Sequence, residues 1–169
     1  MTDLTSADIL VGYQNVHFTR ANVNQPPPLS QFSRDKDIFS NFYFMGRLNW
    51  QATPLLRLTL QPYRTIQQTV TAGSLFYTAT GVNLAATHEL TDSTTLNLNL
   101  GFEQDKFQSS SSGGSNRTDL LKNVAVGVTY RAVKWVGLGA QYIFEDRNSD
   151  QTPFTYQAST VMLSAQTLF

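Results

Sequence analysis

No cysteine occurs in the 169 residues. Disulfides and thiol chemistry are excluded, and no compartment is ruled out. Charge is scarce: Asp, Glu, Lys and Arg make up 14% of the chain, against about 25% in soluble domains. Twelve basic residues balance twelve acidic ones, so no global charge points to nucleic acid or to an acidic partner. No apolar run approaches the roughly 18 residues that a membrane helix needs. The opening residues, MTDLTSADIL, lack the basic and apolar regions of a signal peptide. An exported protein needs one, so outside the inner membrane this chain is expected to be a mature form or a fragment. Two histidines without cysteine make no recognisable metal site, and no cofactor is expected.

Threonine, asparagine, glutamine and serine supply the polarity, and aromatics reach 12%. The dominant pattern is alternation with period two, the mark of strands with one apolar and one polar face. In NFYFMGRLNWQA, Phe42, Phe44, Gly46, Leu48, Trp50 and Ala52 oppose Asn41, Tyr43, Met45, Arg47, Asn49 and Gln51. Leu56, Leu58 and Leu60 oppose Arg57, Thr59 and Gln61, and Val82, Leu84 and Ala86 oppose Gly81, Asn83 and Ala85. TTLNLNLGFEQDKF is the cleanest case, with Leu96, Leu98, Leu100 and Phe102 against Asn97, Asn99, Gly101 and Glu103. Val124, Val126, Val128 and Tyr130 form another such face, as do Val136, Leu138, Ala140, Tyr142 and Phe144. The closing segment sets Val161, Leu163, Ala165, Thr167 and Phe169 on one side. DILVGYQNVHF is strand-like with poorly distinguished faces.

The pattern predicts about eight strands of about ten residues or more in one domain, 1–169, with no convincing helix. Such strands exceed the soluble norm of roughly five to six residues and match the roughly 9–11 of a tilted strand crossing a bilayer. Short turns are expected at 52–55, 90–94 and 132–135, and long polar loops at 20–37, 67–74, 108–117 and 147–153. Short–long alternation with an even strand count is the pattern of an antiparallel up-and-down transmembrane β-barrel in the bacterial outer membrane. A soluble β-sandwich or β-barrel would explain the alternation. It would not explain the strand length, the loop rhythm, or a polar face rich in Gly, Asn and Thr.

The charges fit the membrane reading. An Arg facing lipid at mid-membrane costs roughly 2–4 kcal/mol. Arg47, Arg57, Glu103, Arg131, Glu145 and Arg147 are expected on the lumen side. Arg64, His88 and Lys122 share the apolar phase, toward strand ends. Trp50 and Trp135 sit beside short turns, where an interfacial aromatic girdle lies. Pro62 lacks a ladder donor and is expected at a bulge or above the membrane rim.

The last third carries a GVTYR strand, a turn ending in Trp135, LGAQYIFEDRNS, and a closing VMLSAQ before a terminal aromatic. In these features it resembles the end of the Putative beta-barrel porin 2 family, whose members often come from exopolysaccharide gene clusters of Gram-negative bacteria. The resemblance implies a non-enzymatic, porin-like protein linked to exopolysaccharide transport or secretion. The expected partners are the lipid bilayer, lipopolysaccharide, the barrel-assembly machinery and polysaccharide. Family members resemble longer barrels, so the chain is expected to be either a complete barrel closing at eight strands or the C-terminal portion of a larger one. Outer-membrane barrels resemble one another in ending on an aromatic with apolar residues at alternate positions before it. Val161, Leu163, Ala165 and Phe169 fit that assembly signal.

Two other functions were weighed. One is a small closed structural or anchoring barrel of OmpA-like class. The other is a lipid-modifying barrel enzyme, which needs a serine and an acid placed near a histidine. Around His88, Glu89 lies on the opposite face and Ser93 in the turn, so an interfacial polar residue is the simpler reading. His17 reads as a strand end. Asp35, Asp37, Asp105, Asp146 and Asp150 read as solvated charges in or near the external loops, with calcium or lipopolysaccharide cations as the alternative.

Overall fold

A computed structural model describes residues 5–17, 38–69, 74–109 and 116–167. The eight strands are β1 (Thr5–His17), β2 (Ile38–Thr53), β3 (Leu56–Gln68), β4 (Ser74–Thr91), β5 (Thr94–Ser109), β6 (Arg117–Val133), β7 (Val136–Ser149) and β8 (Tyr156–Thr167). They form one antiparallel sheet in the order of the chain, so every strand pairs with its sequence neighbour. This is the all-β, up-and-down arrangement that the alternation predicts. A single 3-10 turn, Thr152–Phe154, interrupts the β7–β8 connection.

The short connections are two-residue turns at 54–55, 92–93 and 134–135. Each is preceded by the same irregularity, one extra residue in the incoming strand: the register shifts between Gln51 and Thr53, between Glu89 and Thr91, and between Arg131 and Val133. Such bulges tighten the local twist and re-aim the strand. Threonine side chains close the first two turns. Thr53 Oγ1 accepts from Leu56 N at 3.0 Å, and Thr91 Oγ1 accepts from Ser93 N at 3.3 Å. Neighbouring turns are laced together, Glu89 N donating to Leu55 O at 2.9 Å and Arg131 N to Ser93 O at 2.7 Å.

Register gives the sheet two chemically distinct faces. One row of cross-strand partners runs Leu48, Leu60, Leu84, Leu100, Val124 and Phe144. The adjacent row on the other face runs Gln61, Asn83, Gly101, Asn123 and Glu145. The apolar face is uncovered. Ile9 is 79% exposed and Leu163 81%. The described buried apolar residues are only Phe76, Ala79 and Phe107. A sandwich would bury the leucine face against a second layer, and none exists among the described residues.

The apolar band is slanted against the strands. In β3 it reaches Ile66, interrupted at Arg64, and the Ile66 row passes through Thr78 to Lys106 and Thr118 in β5 and β6. In β7 it stops at Phe144, in the Leu84 row. The boundary thus moves six residues along β4, Thr78 to Leu84, while crossing the four strands from β3 to β7. With about 3.4 Å per residue and 4.8 Å between strands, the strands tilt about 45° to the band, as in transmembrane barrels.

Pro62 corrects one expectation. It lies in mid-strand, paired with Val82, and no bulge occurs there. The β2–β3 ladder instead skips Gly46 and Arg47 on β2 while holding its register from Met45–Tyr63 to Leu48–Leu60. Proline has no N–H to give, and Gly46 leaves room for its ring: a Cβ there would meet Pro62 Cγ at 3.1 Å. The indistinct faces of β1 also have a cause. Leu10 stands on the polar side opposite Met45, while Ile9, Val11 and Tyr13 occupy the other. The sheet is open: among the described residues β1 pairs only with β2, and β8 only with β7. In a bilayer both edges must find backbone partners, because hydrocarbon offers no hydrogen bonds.

Candidate functional site on the polar face

The polar face is where chemistry gathers, and its turn-side half is mainly amide and hydroxyl. Asn49 Nδ2 donates to Ser6 Oγ at 3.2 Å, Thr59 Oγ1 to Asn49 Oδ1 at 3.0 Å, and Thr87 Oγ1 to Asn97 Oδ1 at 3.2 Å. Arg57, opposite Gln51 and Thr87, and Arg131, opposite Gly137, are the basic side chains here.

At mid-height, Arg47 faces Asp8 across the β1–β2 ladder. No ion pair joins the two among the described residues. With its amide oxygen turned toward Arg47, Gln61 accepts from Nη2 and Nε at 3.1 and 2.9 Å. Three strands away, on β5, Asn83 and Asn123 lean over Gly101 from both sides; a Cβ on Gly101 would lie 1.9 Å from Asn123 Oδ1 and 2.8 Å from Asn83 Oδ1. Gly81 likewise admits the Tyr63 ring, whose hydroxyl donates to Glu103. These small residues open a recess of about 230 Å³ bounded by Tyr63, Asn83, Glu103, Asn123, Glu145 and Arg147. Glu145 is exposed there.

Above the recess lies an ionic knot. Asp119 on β6 is 0% exposed and accepts from Arg147 Nε at 3.1 Å, from Arg147 Nη2, and from Ser149 Oγ at 2.5 Å. Arg147 Nη2 also lies 4.0 Å from Asp105, which is 3% exposed and whose Oδ1 has no hydrogen-bond donor. Arg117 Nε is 3.2 Å from Asp119 Oδ2, an ion pair whose N–H is not aimed for a hydrogen bond. The Arg117 guanidinium is held instead between two rings, 3.7 Å from Phe107 and 3.8 Å from Phe154. Tyr77 extends the stack at 4.7 Å from Phe107. The turn carrying Phe154 is pinned by Asp150, which accepts from Thr118 N at 3.0 Å.

All six charged residues expected on one face share it: Arg47, Arg57, Glu103, Arg131, Glu145 and Arg147. The structure brings Glu103, Glu145 and Arg147 to the recess and leaves Arg57 and Arg131 toward the turns. Asp105 overturns the reading as a solvated loop charge, because it is buried in β5 beside Arg147. Asp146 accepts from Gln157 at 3.0 Å. Asp35 and Asp37 lie outside the described residues. Arg117 and Asp119 were missed by the sequence reading, although both keep the phase of Arg147. Trp50 is half-exposed on the apolar face opposite Leu58, and Trp135 is exposed in its turn. Val161, Leu163 and Ala165 are exposed on β8, and Phe169 lies outside the described residues. His88 Nδ1 sits 3.2 Å from Leu55 O, while Ser93 bonds Thr91 within its own turn, so the two do not meet. His17 ends β1 opposite Ile38.

A single tilted sheet with an uncovered apolar band and a polar, charged reverse face is the wall of a membrane β-barrel. The family comparison agrees over nearly the whole chain. Residues 1–168 match Putative beta-barrel porin 2, and the chain belongs to that family. The match reaches well beyond the last third that carries the sequence motifs. Membership implies a membrane-embedded porin-type protein. No curated protein and no solved structure matches the chain.

Proposed function

We propose that the chain forms the wall of a non-enzymatic outer-membrane pore for hydrophilic solutes, with exopolysaccharide as the physiological cargo. The observation that carries this reading is the two-faced sheet: leucine and valine rows outward, an Asn, Gln, Thr and charge-bearing surface inward. The apolar band takes up lipid, with Trp50 and Trp135 at its interface, and the external ends meet lipopolysaccharide. The Arg47, Arg57, Glu103, Arg131, Glu145 and Arg147 side chains line a hydrated lumen, where exposed charge is cheap. Val161, Leu163, Ala165 and Phe169 engage the barrel-assembly machinery. Deleting Phe169 is therefore expected to lower the folded fraction in cells more than it lowers the midpoint of unfolding of the assembled protein; equal loss in both contradicts the assembly role.

Single-channel recording of the purified chain in planar bilayers tests the pore. A steady open current, reduced by added polysaccharide, is expected. Silence with a heat-modifiable gel shift supports the small closed barrel instead. A steady current that polysaccharide leaves untouched removes the cargo and keeps the pore.

A further inference from the structure

The charges on the polar face are sorted by strand. Arg47 on β2 and Arg57 on β3 stand with Asp8 on β1, leaving one net positive charge. Glu103, Asp105, Asp119 and Glu145 on β5–β7 stand with Arg117 and Arg147, leaving a formal excess of two acidic groups around the recess and knot. Between the two groups runs β4, whose polar-face residues Tyr77, Ala79, Gly81, Asn83, Ala85 and Thr87 are uncharged. Only Glu89, at its turn end, and Arg131, at the turn end of β6, break the division.

Arg147 and Arg117 do not cancel the acidic side within the recess. Both are taken up by Asp119, and Arg147 also approaches Asp105. Glu145 remains exposed beside the recess, and Glu103 has a tyrosine hydroxyl as its partner. On the basic side, Arg47 has the neutral Gln61 amide. Arg47 and Glu145 lie in line with one register row, through Gln61, Asn83, Gly101 and Asn123. Five strand spacings of about 4.8 Å put them about 24 Å apart along the sheet. That is more than twice the Debye length of about 10 Å at 0.1 M salt. Each sector then acts on ions near it without being neutralised by the other.

We infer that this wall carries two separate ion lanes, an anion lane over β2–β3 set by Arg47 and Arg57 and a cation lane over β5–β7 set by Glu103 and Glu145, and that these four residues determine charge selectivity. The inference rests on the pore reading. A pore lined this way is only weakly cation-selective as a whole because its lanes partly offset each other. Removing either lane exposes the preference of the other.

The test is the ratio of potassium to chloride permeability, from reversal potentials of the purified full chain in planar bilayers under a potassium chloride gradient at low salt. Glutamine substitutions keep size and hydrogen bonding. The Glu103→Gln/Glu145→Gln variant is expected to lower the ratio by about twofold or more, and Arg47→Gln/Arg57→Gln to raise it by about as much. The quadruple variant returns toward the parent value. Raising salt to about 1 M, where the Debye length is about 3 Å, shrinks both shifts. Glu145→Gln alone, at an exposed side chain, shifts the ratio in the same direction as the acidic pair and covers any failure of the Glu103 variant to insert. An open pore whose ratio stays fixed in both variants, or moves the same way in both, overturns the lanes and leaves the pore intact. Absence of any current overturns both.

Discussion

The turn ends of the strands and the loop ends of β5–β7 face the same difficulty, strands with no second layer behind them, and meet it with different chemistry. At the turns, side chains are mostly exposed, and order comes from backbone lacing and from threonine oxygens at 3.0–3.3 Å. The threonine bonds are local, each made by residues two or three apart, and the lacing joins only neighbouring turns. At the loop end, Asp119 collects Arg117 from its own strand and Arg147 and Ser149 from the neighbouring one, and is fully buried. The contrast teaches where a one-layer sheet keeps its interior: in a charged knot sealed by aromatic rings, not in a hydrophobic core. A buried ion pair gains little over a well-packed apolar replacement, but leaving one partner alone is costly. The two ends should therefore respond very differently to substitution.

The largest expected effect is at the knot. Asp119→Ala leaves Arg147 and Arg117 without their common counter-charge and should cost about 3–5 kcal/mol, read as a lowered denaturation midpoint of the folded protein in detergent. A loss no larger than that at a turn would erase the contrast. Next is Gly81→Ala, whose methyl would meet the Tyr63 hydroxyl and the Phe102 carbonyl, each at 2.7 Å. A clash against backbone should cost about 1–3 kcal/mol and should alter the Tyr63 fluorescence as its bond to Glu103 is lost. Phe154→Ala removes one of the two rings on Arg117 and should cost about 1 kcal/mol, with faster proteolysis at the β7–β8 turn. Thr53→Ala, at the other end, removes one turn acceptor and should cost about 0.5 kcal/mol by the same unfolding measurement.

Much of this architecture is legible in the sequence because it is local. Alternation from Leu96 to Phe102 identifies β5, and its register with β4 and β6 keeps Leu96, Leu98 and Leu100 on one side with Leu84 and Val124. The three tight turns fall inside the segments that interrupt alternation. The knot was not legible, since Asp105, Asp119 and Arg147 sit on three strands and meet only once register is fixed. Read singly, each is one more polar residue near a loop. Pro62 was misjudged for the same reason: its compensation, Gly46, lies on the neighbouring strand. The direction of the sorted charges across β4 is likewise a property of strand order, not of any one segment.

The central claim is that one face of the sheet meets lipid and the other meets water. The chain contains no cysteine, so single cysteines can be placed along β5 in the protein reconstituted in liposomes. Cysteines at Leu96, Leu98, Leu100 and Phe102 should be shielded from a charged, water-soluble thiol reagent and quenched, when labelled with a fluorophore, by brominated lipid. Cysteines at Asn97, Asn99 and Glu103 should react with the reagent and escape the quencher. Equal reactivity of the two sets, or quenching without alternation, would contradict the account.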